Sequence, residues 1–370
     1  MGSKKNKKRM KIICFHLYND YSGSPKVLKN LLGKMLQKGV SIELVTSEGG
    51  VLDELPQCSN LKRRNYRYKF SNNGIVTMLR YTWVQIYTFF VALGYMFDKE
   101  AVFYINTILP AGPALAGWLM GKKVIYHYHE NATVKSEFYR TLAWLMQKIA
   151  TKIICVSHYQ RSFLKRKEGI AVVPNAVEDA FIERLMPNPQ RALEEKRVLM
   201  LGSLKAYKGT AEFIELARAL PQYSFELVLN DTQENIDAFM QKNSISQPRN
   251  LALHPRQNDV APFYNRATLV LNLSDKNLVV ETFGLTALEA MHAGLPVIVP
   301  TVGGIAEMVE NGVNGYKIDV QEIARVKEMI ENIISNRDLY LSLSSRALDC
   351  AGRYCTNRMF GNTMHEIETA

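Results

Sequence analysis

Two glutamates, Glu281 and Glu289, lie on either side of a predicted helix start that could bind a phosphate. Residues 269–273 form an apolar run typical of a buried strand, and a polar loop and the turn at residues 281–284 follow it. Residues 285–293 are strong helix formers and a glycine comes next, as at many helix ends. Unpaired backbone N–H groups and the helix dipole favour an anion at such a helix start. A carboxylate there is better explained if it accepts hydrogen bonds from sugar hydroxyls.

The spacing of the two glutamates is eight positions, a little over two helical turns, so both carboxylates could project on one side. Composition alone favours a plainer interpretation, in which Glu289 is an exposed helix residue and Glu281 an ordinary loop acid. A role in binding therefore depends on agreement with other parts of the chain.

Short β-branched runs alternate with helical stretches along the whole chain, which predicts an α/β fold with parallel sheets. Helices are predicted, among others, at residues 26–37 and 137–149, and a linker at residues 186–195. We therefore expect two Rossmann-like, doubly wound domains facing each other across a cleft, with ligands beyond the carboxyl ends of the strands. The predicted strands are residues 11–15, 40–46, 101–105, 122–127, 152–156 and 171–173, then 197–201, 225–229, 250–254, 268–273 and 296–299.

Residues 281–316 closely resemble the donor-binding segment of the retaining GT-B glycosyltransferases of family 4 (group 1). The signature of that family is two glutamates separated by seven residues, which Glu281 and Glu289 match. The resemblance implies a GT-B fold, with Glu281 beside the donor sugar and Glu289 on the ribose hydroxyls of the nucleotide. The amides that would reach the sugar and the diphosphate are those of Phe283, Gly284, Leu285 and Thr286.

A second segment, residues 201–209, resembles the family element in which an arginine and a lysine neutralise the departing diphosphate. Such cations are needed because negative charge builds on the β-phosphate as the glycosidic bond breaks. Lys208 occupies the lysine position, whereas Ser203 stands where the family has arginine. Either Lys205 or another base replaces that arginine, or one cation and the helix amides suffice.

In the first half of the chain, two segments resemble family elements. Residues 22–28 match a glycine loop of which Gly23 is kept, and Gly23 could let the backbone approach the diphosphate. The same segment has a structural use, because Ser24 could cap a helix with Pro25 at its first position. His129 and Glu130 end a predicted strand and match the family's histidine–acid pair, so we expect His129 to face the reacting sugar.

Together these motifs predict a hexosyltransferase that moves a sugar from a UDP- or GDP-linked donor to a hydroxyl of a glycan or lipid-linked acceptor. Cell-surface polysaccharide or glycolipid synthesis would use such a product. The nucleotide sugar is the expected co-substrate, with no other cofactor, and no Asp-x-Asp motif suggests a metal. A catalytically inactive GT-B scaffold that binds a nucleotide sugar or a protein partner is the alternative, and Ser203 is the feature that favours it. A dinucleotide-dependent oxidoreductase is disfavoured, because no GxGxxG motif follows the first strand.

Charge is distributed unevenly along the chain, whose net charge is +11. Residues 1–175 hold 27 Lys and Arg against 10 Asp and Glu, whereas residues 176–370 hold 19 against 25. The basic half has no nucleic-acid motif, which leaves an anionic membrane surface or a solvated basic face. Residues 81–97 are apolar and aromatic but carry polar side chains at about the minimum length for a span, so core packing is preferred over a helix at a membrane interface.

Domain boundaries and location follow from the same patterns. We expect an N-terminal acceptor-binding domain at residues 1–185, a C-terminal donor-binding domain at residues 190–352, and a segment at residues 353–370 that packs back on the first domain. Five scattered cysteines without paired spacing favour a reducing compartment. A cytoplasmic protein, peripheral on the inner face of the membrane, is the expected setting.

Overall fold

A computed structural model describes residues 10–71, 73–132 and 136–370. The chain divides into two compact units: unit 1 comprises residues 1–175 with Thr356–Ala370, and unit 2 comprises Ala176–Cys355. The chain therefore passes from unit 1 to unit 2 about ten residues before residue 185, the predicted end of the first domain. The physical reason is that Phe181 already packs in unit 2, with its ring centroid 6.0 Å from that of Tyr264.

Each unit contains one parallel sheet, with the order β3-β2-β1-β4-β5-β6-β7 in unit 1 and β10-β9-β8-β11-β12-β13 in unit 2. Both orders reverse direction between the first and the fourth strand of the unit, which is the doubly wound arrangement. The strands are β1 (Lys11–His16), β2 (Ser41–Ser47), β3 (Leu61–Tyr66), β4 (Ala101–Asn106), β5 (Val124–Tyr128), β6 (Lys152–Cys155), β7 (Ile170–Val172), β8 (Arg197–Gly202), β9 (Ser224–Leu229), β10 (Leu251–His254), β11 (Leu269–Leu271), β12 (Val297–Val299) and β13 (Gly315–Lys317).

Helices connect the strands, and short 3₁₀ turns lie at Val51–Glu54, Ala206–Lys208 and Val320–Glu322. The helices of the described residues are α1 (Gly23–Gln37), α2 (Gly74–Leu93), α3 (Ala111–Leu119), α4 (Glu137–Ile149), α5 (His158–Ser162), α6 (Asp179–Ile182), α7 (Pro189–Glu195), α8 (Thr210–Ala219), α9 (Gln233–Lys242), α10 (Ala261–Tyr264), α11 (Leu285–His292), α12 (Gly304–Glu307), α13 (Ile323–Ser335), α14 (Arg337–Ala351) and α15 (Thr356–Glu368).

Two edge strands, β3 and β13, were not predicted from the sequence. In β3 every residue is partly or fully exposed, and three of its six positions are Lys62, Arg63 and Arg64. Charged residues on an edge strand protect it from pairing with other chains, and they also hide the strand from hydrophobic patterning. Arg63 uses its charge inside unit 1, since its guanidinium donates to the carbonyls of Leu52 and Leu55 at 2.8 and 2.7 Å.

The predicted linker at residues 186–195 is wrong over most of its length, because helix α7 occupies it. Asn188 caps the helix by accepting a hydrogen bond from the Arg191 amide at 3.1 Å, and Pro189 follows as the first helical residue. An Asn-Pro pair is a favourable helix start, although polar residues and prolines are also typical of linkers.

The C-terminal helix α15 belongs to unit 1 and packs against α1. Asn30 on α1 donates to Thr356 Oγ1 at 3.2 Å, and both side chains are buried. Farther along the helix, Lys152 on β6 donates to Glu366 at 2.8 Å. The last residues of the chain therefore complete the helical layer of the first unit.

Helix α2 has apolar residues on two faces. One face, with Tyr81, Val84, Thr88 and Ala92, is buried against the remainder of unit 1, in keeping with the predicted core packing of this segment. The opposite face is exposed to solvent. Across the described ranges, none of the helices combines the length and the apolarity that crossing a bilayer requires.

Two buried histidines stabilise the carboxyl edge of the first sheet in their neutral forms. Asn106 Nδ2 donates to His16 Nδ1 at 3.0 Å, and the hydroxyl of Tyr104 lies 2.7 Å from His127 Nδ1. Burial is the main cause that lowers the pKa of both histidines, to about 4 for His16 and to about 3 for His127. For His16, hydrogen bonds with Asn106 and Tyr18 and the charge of Asp20 oppose this effect of burial.

These shifts predict a loss of stability in acid. In the unfolded chain a histidine has a pKa of about 6.5. Between pH 6.5 and 4 the unfolded state therefore binds protons at these two histidines that the folded state does not bind. The free energy of unfolding should fall over this range by about 3 kcal/mol for each histidine. In urea unfolding followed by circular dichroism, His127→Gln should show a shallower decline with falling pH than the wild type. The exposed His365→Gln serves as control, and equal slopes for all three proteins would contradict the prediction.

Candidate active site

The loops after β8 and β11 meet at the point where the strand order of unit 2 reverses. β8 and β11 are neighbours in the sheet, with Leu271 paired to Met200. Their carboxyl ends therefore open on the same edge, where a doubly wound sheet binds its ligands. Residues 203–209 follow the first strand, and residues 272–284 follow the second.

Glu281 and Lys208 form an ion pair between these two loops. The Lys208 ammonium contacts Glu281 Oε1, and the hydroxyl of Ser274 donates to the same oxygen at 2.9 Å. Burial by itself would raise the pKa of Glu281, but the charge of Lys208 and the hydrogen bonds from Lys208 and Ser274 outweigh it and lower the pKa below its ordinary value. Glu281 is therefore ionised at neutral pH, and Lys208 is held where the two loops meet.

Gly209 allows this close approach of the loops. Its φ is +72°, and a Cβ added there would lie 2.4 Å from the backbone and side chain of Leu273. No other residue could follow Lys208 without pushing the two loops apart. Two hydrogen bonds complete the arrangement, from the Asp275 amide to the Tyr207 carbonyl at 2.8 Å and from the Thr210 hydroxyl to the Ser203 carbonyl at 3.1 Å.

The position of the expected arginine is filled by Ser203, whose backbone carbonyl accepts a hydrogen bond from the Thr210 hydroxyl. A second cation lies nearby: the ammonium groups of Lys205 and Lys208 are 5.9 and 5.6 Å from the centre of the same Tyr207 ring. Lys205 is exposed, so its side chain can move without breaking a buried contact. The geometry thus brings Lys205 and Lys208 to one aromatic ring, which makes Lys205 a physical candidate to replace the arginine.

Gly284 precedes α11 and sets the direction of the helix start. Its φ is +98°, and a Cβ there would lie 2.4 Å from the side chain of Ile305. No side chain caps the helix, so the amides of its first turn, which includes Leu285 and Thr286, have no side-chain acceptor at the cap position. A helix therefore begins where the sequence predicts one, and the free amides and dipole of such a start would favour an anion.

The backbone of Glu281 is tied to the next strand–helix turn. The Gly304 amide donates to the Glu281 carbonyl at 2.9 Å, and a Cβ on Gly303 would lie 2.5 Å from the same oxygen. Gly303 therefore lets α12 begin directly against the loop that carries Glu281.

Glu289 lies within α11 and is held by a buried tyrosine. The hydroxyl of Tyr264, on α10, donates to Glu289 Oε2 at 2.7 Å. Tyr264 is almost fully buried, and burial followed by the charge of Glu289 raises its pKa well above the ordinary value. Because Glu281 precedes the helix by four residues, the helical spacing that we inferred between the glutamates does not apply: one faces Lys208 and the other faces Tyr264.

The side chain of Phe283 is not available to a ligand. It is 5% exposed, and its ring centroid lies 5.9 Å from that of Tyr354. Phe283 can therefore contribute its backbone alone, as the sequence comparison with the family implied.

In unit 1, Gly23 and His129 lie near the corresponding reversal point, between β1 and β4. Helix α1 begins at Gly23 with Ser22 as the N-cap residue, so the expected cap at Ser24 is wrong by two positions. His129 Nε2 lies 3.0 Å from Asn106 Oδ1, and its ring centroid is 4.2 Å from that of His127. Burial and the neighbouring His127 and His16 lower the pKa of His129 well below its ordinary value, so the ring is neutral at pH 7.

Sequence reasoning missed Ser274, Tyr264 and the role of Gly209. Ser274 opens a polar loop after a buried strand, which was a usable signal. Tyr264 had none, because a tyrosine in a short helix looks like any core residue. Among the described residues, no group of three or more His, Cys, Asp or Glu is arranged to hold a metal ion.

Two protein families match consecutive parts of the chain. Glycosyltransferase Family 4 matches residues 21–181, and Glycosyl transferases group 1 matches residues 181–349. The changeover between them lies close to the boundary between units 1 and 2.

Individual proteins agree with the family matches. An uncharacterised glycosyltransferase of Haemophilus influenzae is 23% identical over 354 residues, covering 91% of this chain and 94% of its own length. The N-acetyl-α-D-glucosaminyl L-malate synthase of Bacillus anthracis is 28% identical over 156 residues, covering 41% of this chain and 40% of its own.

Solved structures share the fold over nearly the whole chain. Anabaena HepE in complex with UDP-glucose has a TM-score of 0.78 at 19% identity and covers 98% of this chain and 100% of its own. Sucrose-phosphate synthase from Thermosynechococcus elongatus has a TM-score of 0.77 at 16% identity, and the match covers 98% of this chain and 99% of that chain. With two doubly wound units and both family halves matched in order, the chain belongs to the group 1 glycosyltransferases of family 4 and has the GT-B fold.

Proposed function

We propose that the chain moves a hexose from a nucleoside diphosphate sugar to a hydroxyl of a glycan or lipid-linked acceptor, with retention of the anomeric configuration. The product would enter cell-surface polysaccharide or glycolipid synthesis on the cytoplasmic side of the membrane. The nucleotide sugar is the co-substrate, and neither a metal nor another cofactor takes part. Unit 2 binds the donor, and unit 1 binds the acceptor.

The Lys208–Glu281 pair carries this proposal. Lys208 is about a quarter exposed, so its ammonium can reach a ligand while Glu281 holds it in position. In our mechanism the diphosphate lies against the first turn of α11, and Lys208 stabilises the charge that develops as the glycosidic bond breaks. Lys205 adds a second positive charge beside the same Tyr207 ring. Glu281, kept ionised, accepts hydrogen bonds from the hydroxyls of the sugar.

Glu289 and Tyr264 form the nucleoside end of the proposed site. A carboxylate can accept two hydrogen bonds from neighbouring hydroxyls, as a ribose presents them. Tyr264 orients Glu289 by donating to one of its oxygens. Since Tyr264 is buried, this orientation is set before the ligand arrives and costs little on binding.

His129 faces the reacting sugar in this proposal. Its hydrogen bond to the Asn106 carbonyl oxygen requires a proton on Nε2, and the low pKa keeps the ring uncharged. A neutral imidazole can hydrogen-bond to a sugar hydroxyl without adding a charge near the developing oxocarbenium ion.

Uridine is the nucleotide we favour, although GDP-linked donors remain in the proposal. The support is the fold shared with HepE, whose structure contains UDP-glucose. Metal independence is supported by the two lysines and the helix start, which together supply the positive charge that a metal would otherwise provide. Retention is supported by the resemblance of residues 281–316 to the retaining GT-B enzymes.

Replacing Lys208 should reduce turnover and leave the fold intact. Without its ammonium, the departing diphosphate loses a charged contact, so kcat of Lys208→Met should fall about 10² to 10³-fold. Lys208→Arg should retain more activity, since the positive charge is kept. The measurement is release of nucleoside diphosphate in the presence of acceptor, and the exposed Lys242→Met is the control.

A double substitution separates catalysis from stability. Lys208→Met leaves the partly buried Glu281 without its cation, which should lower the melting temperature, whereas Lys208→Met with Glu281→Gln removes both charges and should recover it. Turnover should stay low in the double variant. Near wild-type turnover in either protein would overturn the assignment of Lys208.

Tyr264→Phe should weaken nucleotide binding more than it slows chemistry. The substitution removes one hydrogen bond to Glu289, so we expect KM for the donor to rise about five- to tenfold with little change in kcat. Titration calorimetry with UDP should show the same loss of affinity. Tyr223→Phe, another buried tyrosine of unit 2, is the matched control. An unchanged KM would show that Glu289 does not need this orientation.

A donor panel distinguishes the proposed enzyme from a scaffold that binds without transfer. UDP-glucose, UDP-galactose, UDP-N-acetylglucosamine and GDP-mannose are incubated singly with the full chain, and released nucleoside diphosphate is measured. We expect release from a uridine-linked hexose. Tight binding of a donor without hydrolysis or transfer from any of the four would favour the inactive scaffold.

A further inference from the structure

An unbroken apolar stripe runs along the solvent-exposed face of α2. Its residues are spaced three or four positions apart, which places them on one side of a helix. From Ile75 to Phe90 the stripe is about 22 Å long. It consists of Ile75, Leu79, Trp83, Ile86 and Phe90, which are 73, 66, 69, 47 and 65% exposed, and it continues to Phe97, which is 91% exposed.

This stripe is too large to be ordinary surface. Aromatic side chains have areas of about 150–250 Å² each, so Trp83, Phe90 and Phe97 together expose on the order of 300–600 Å². That equals the largest apolar patch of a typical monomer before the aliphatic residues are counted. Tyr81, Val84 and Ala92 already provide the buried face of α2, so the outer stripe contributes nothing to the core of unit 1.

Neighbouring helices extend the apolar surface. Helix α3 packs beside α2, and α4 packs beside α3. Trp118 and Leu119 at the end of α3 are 51 and 61% exposed, and Trp144 on α4 is 59% exposed. Lys122, just after α3, donates to the Asp98 carbonyl at 2.6 Å, which places the end of α3 beside Phe97. Three helices on one side of the sheet therefore carry exposed aromatic residues.

The segment that leads into and through the stripe carries charges of one sign, and the first acid after it is Asp98, which pairs with Lys11 at 3.4 Å. Residues 55–97 contain no Asp or Glu but six Lys and Arg. Arg80, exposed on α2, donates to the Lys69 carbonyl at 3.0 Å, so basic side chains flank the beginning of the stripe. Lys99 and Lys123 are exposed near its other end. Exposed aromatic residues among an excess of lysine and arginine are the chemistry that fits an anionic lipid surface.

We propose that the outer face of α2, with the exposed aromatics of α3 and α4, docks unit 1 in the plane of an anionic lipid bilayer. Trp83, Phe90 and Phe97 insert among the acyl chains near the headgroups, while Arg80, Lys99 and Lys123 contact phosphates. The inference deepens the proposed function, because a lipid-linked acceptor would be met at that surface. It does not depend on Lys208, Glu281 or transfer.

Vesicle flotation of the full chain tests the docking surface. One vesicle type contains phosphatidylcholine alone, and the other contains equal amounts of phosphatidylcholine and phosphatidylglycerol. The wild type should float with the anionic vesicles and far less with the neutral ones. Phe90→Ser and Trp83→Ser should each weaken binding about tenfold, since one inserted aromatic is lost. Met186→Ser is matched to Phe90→Ser in exposure, at 68 against 65%, lies in unit 2, and should float like the wild type.

Three results would overturn the proposal. They are failure of the wild type to float with either vesicle type, flotation unaffected by Phe90→Ser and Trp83→Ser, and a stable wild-type dimer in light scattering that Phe90→Ser dissociates. The last result would mean that a second copy covers the stripe. Circular dichroism should show that the serine variants stay folded, as expected for side chains that are two-thirds exposed.

Activity measurements keep this inference separate from the proposed function. Donor turnover without vesicles should be the same for Phe90→Ser and the wild type, because α2 holds none of the proposed donor contacts. If no donor is turned over but flotation responds to Phe90→Ser, the docking surface stands and the transfer reaction fails. If donor turnover is normal and the wild type does not float with either vesicle type, the transfer reaction stands and the docking surface fails.

Discussion

The contact between Gly209 and Leu273 is the constraint on which the candidate site of unit 2 depends. Glu281 and Lys208 are 73 positions apart and meet because β8 and β11 are adjacent parallel strands whose following loops share one edge. If a residue with a side chain stood at position 209, the adjacent strands would still leave the two loops separated by the width of that side chain. A missing Cβ at Gly209 lets them touch, and similar close approaches at Gly284 and Gly303 bring the helix start and the next turn to the same place. The charges are thus positioned by backbone packing.

This packing has an electrostatic consequence. A carboxylate beside a phosphate site would repel its ligand, and burial would favour its neutral form. Lys208 and Ser274 reverse that preference and keep Glu281 ionised. The same contact limits the movement of Lys208, whose long side chain would otherwise lose considerable entropy when it binds a ligand. In the proposed reaction, this one pair of residues would supply both a charged acceptor for sugar hydroxyls and an ordered cation for the diphosphate.

Strongly apolar elements could be predicted from the sequence, because burial on both faces leaves a clear signal. Helix α4 was predicted with its observed bounds, and the buried strands β1 and β4 to within one residue. The edge strands β3 and β13 could not be predicted, for different reasons. β3 is highly charged and lacks an apolar pattern, and β13 has three residues, which is too short for a pattern to show. In the site, local motifs located Glu281, Glu289 and Lys208. Their partners could not be predicted, since Ser274 and Tyr264 contact them through the tertiary fold.

Helix α2 shows why an apolar sequence does not by itself reveal what covers it. Its residues satisfy helical spacing on two faces, and the sequence distinguishes neither. In the structure the sheet and α3 can bury one face, so the other needs a partner outside unit 1. The charge distribution narrows the choice of that partner. Residues 55–97 contain no Asp or Glu. A partner protein with mixed surface charge would gain little binding energy from such a segment, whereas an anionic bilayer attracts each basic residue near it. The excess of acidic residues in unit 2 would oppose the same attraction, so the proposed docking to a bilayer is assigned to unit 1.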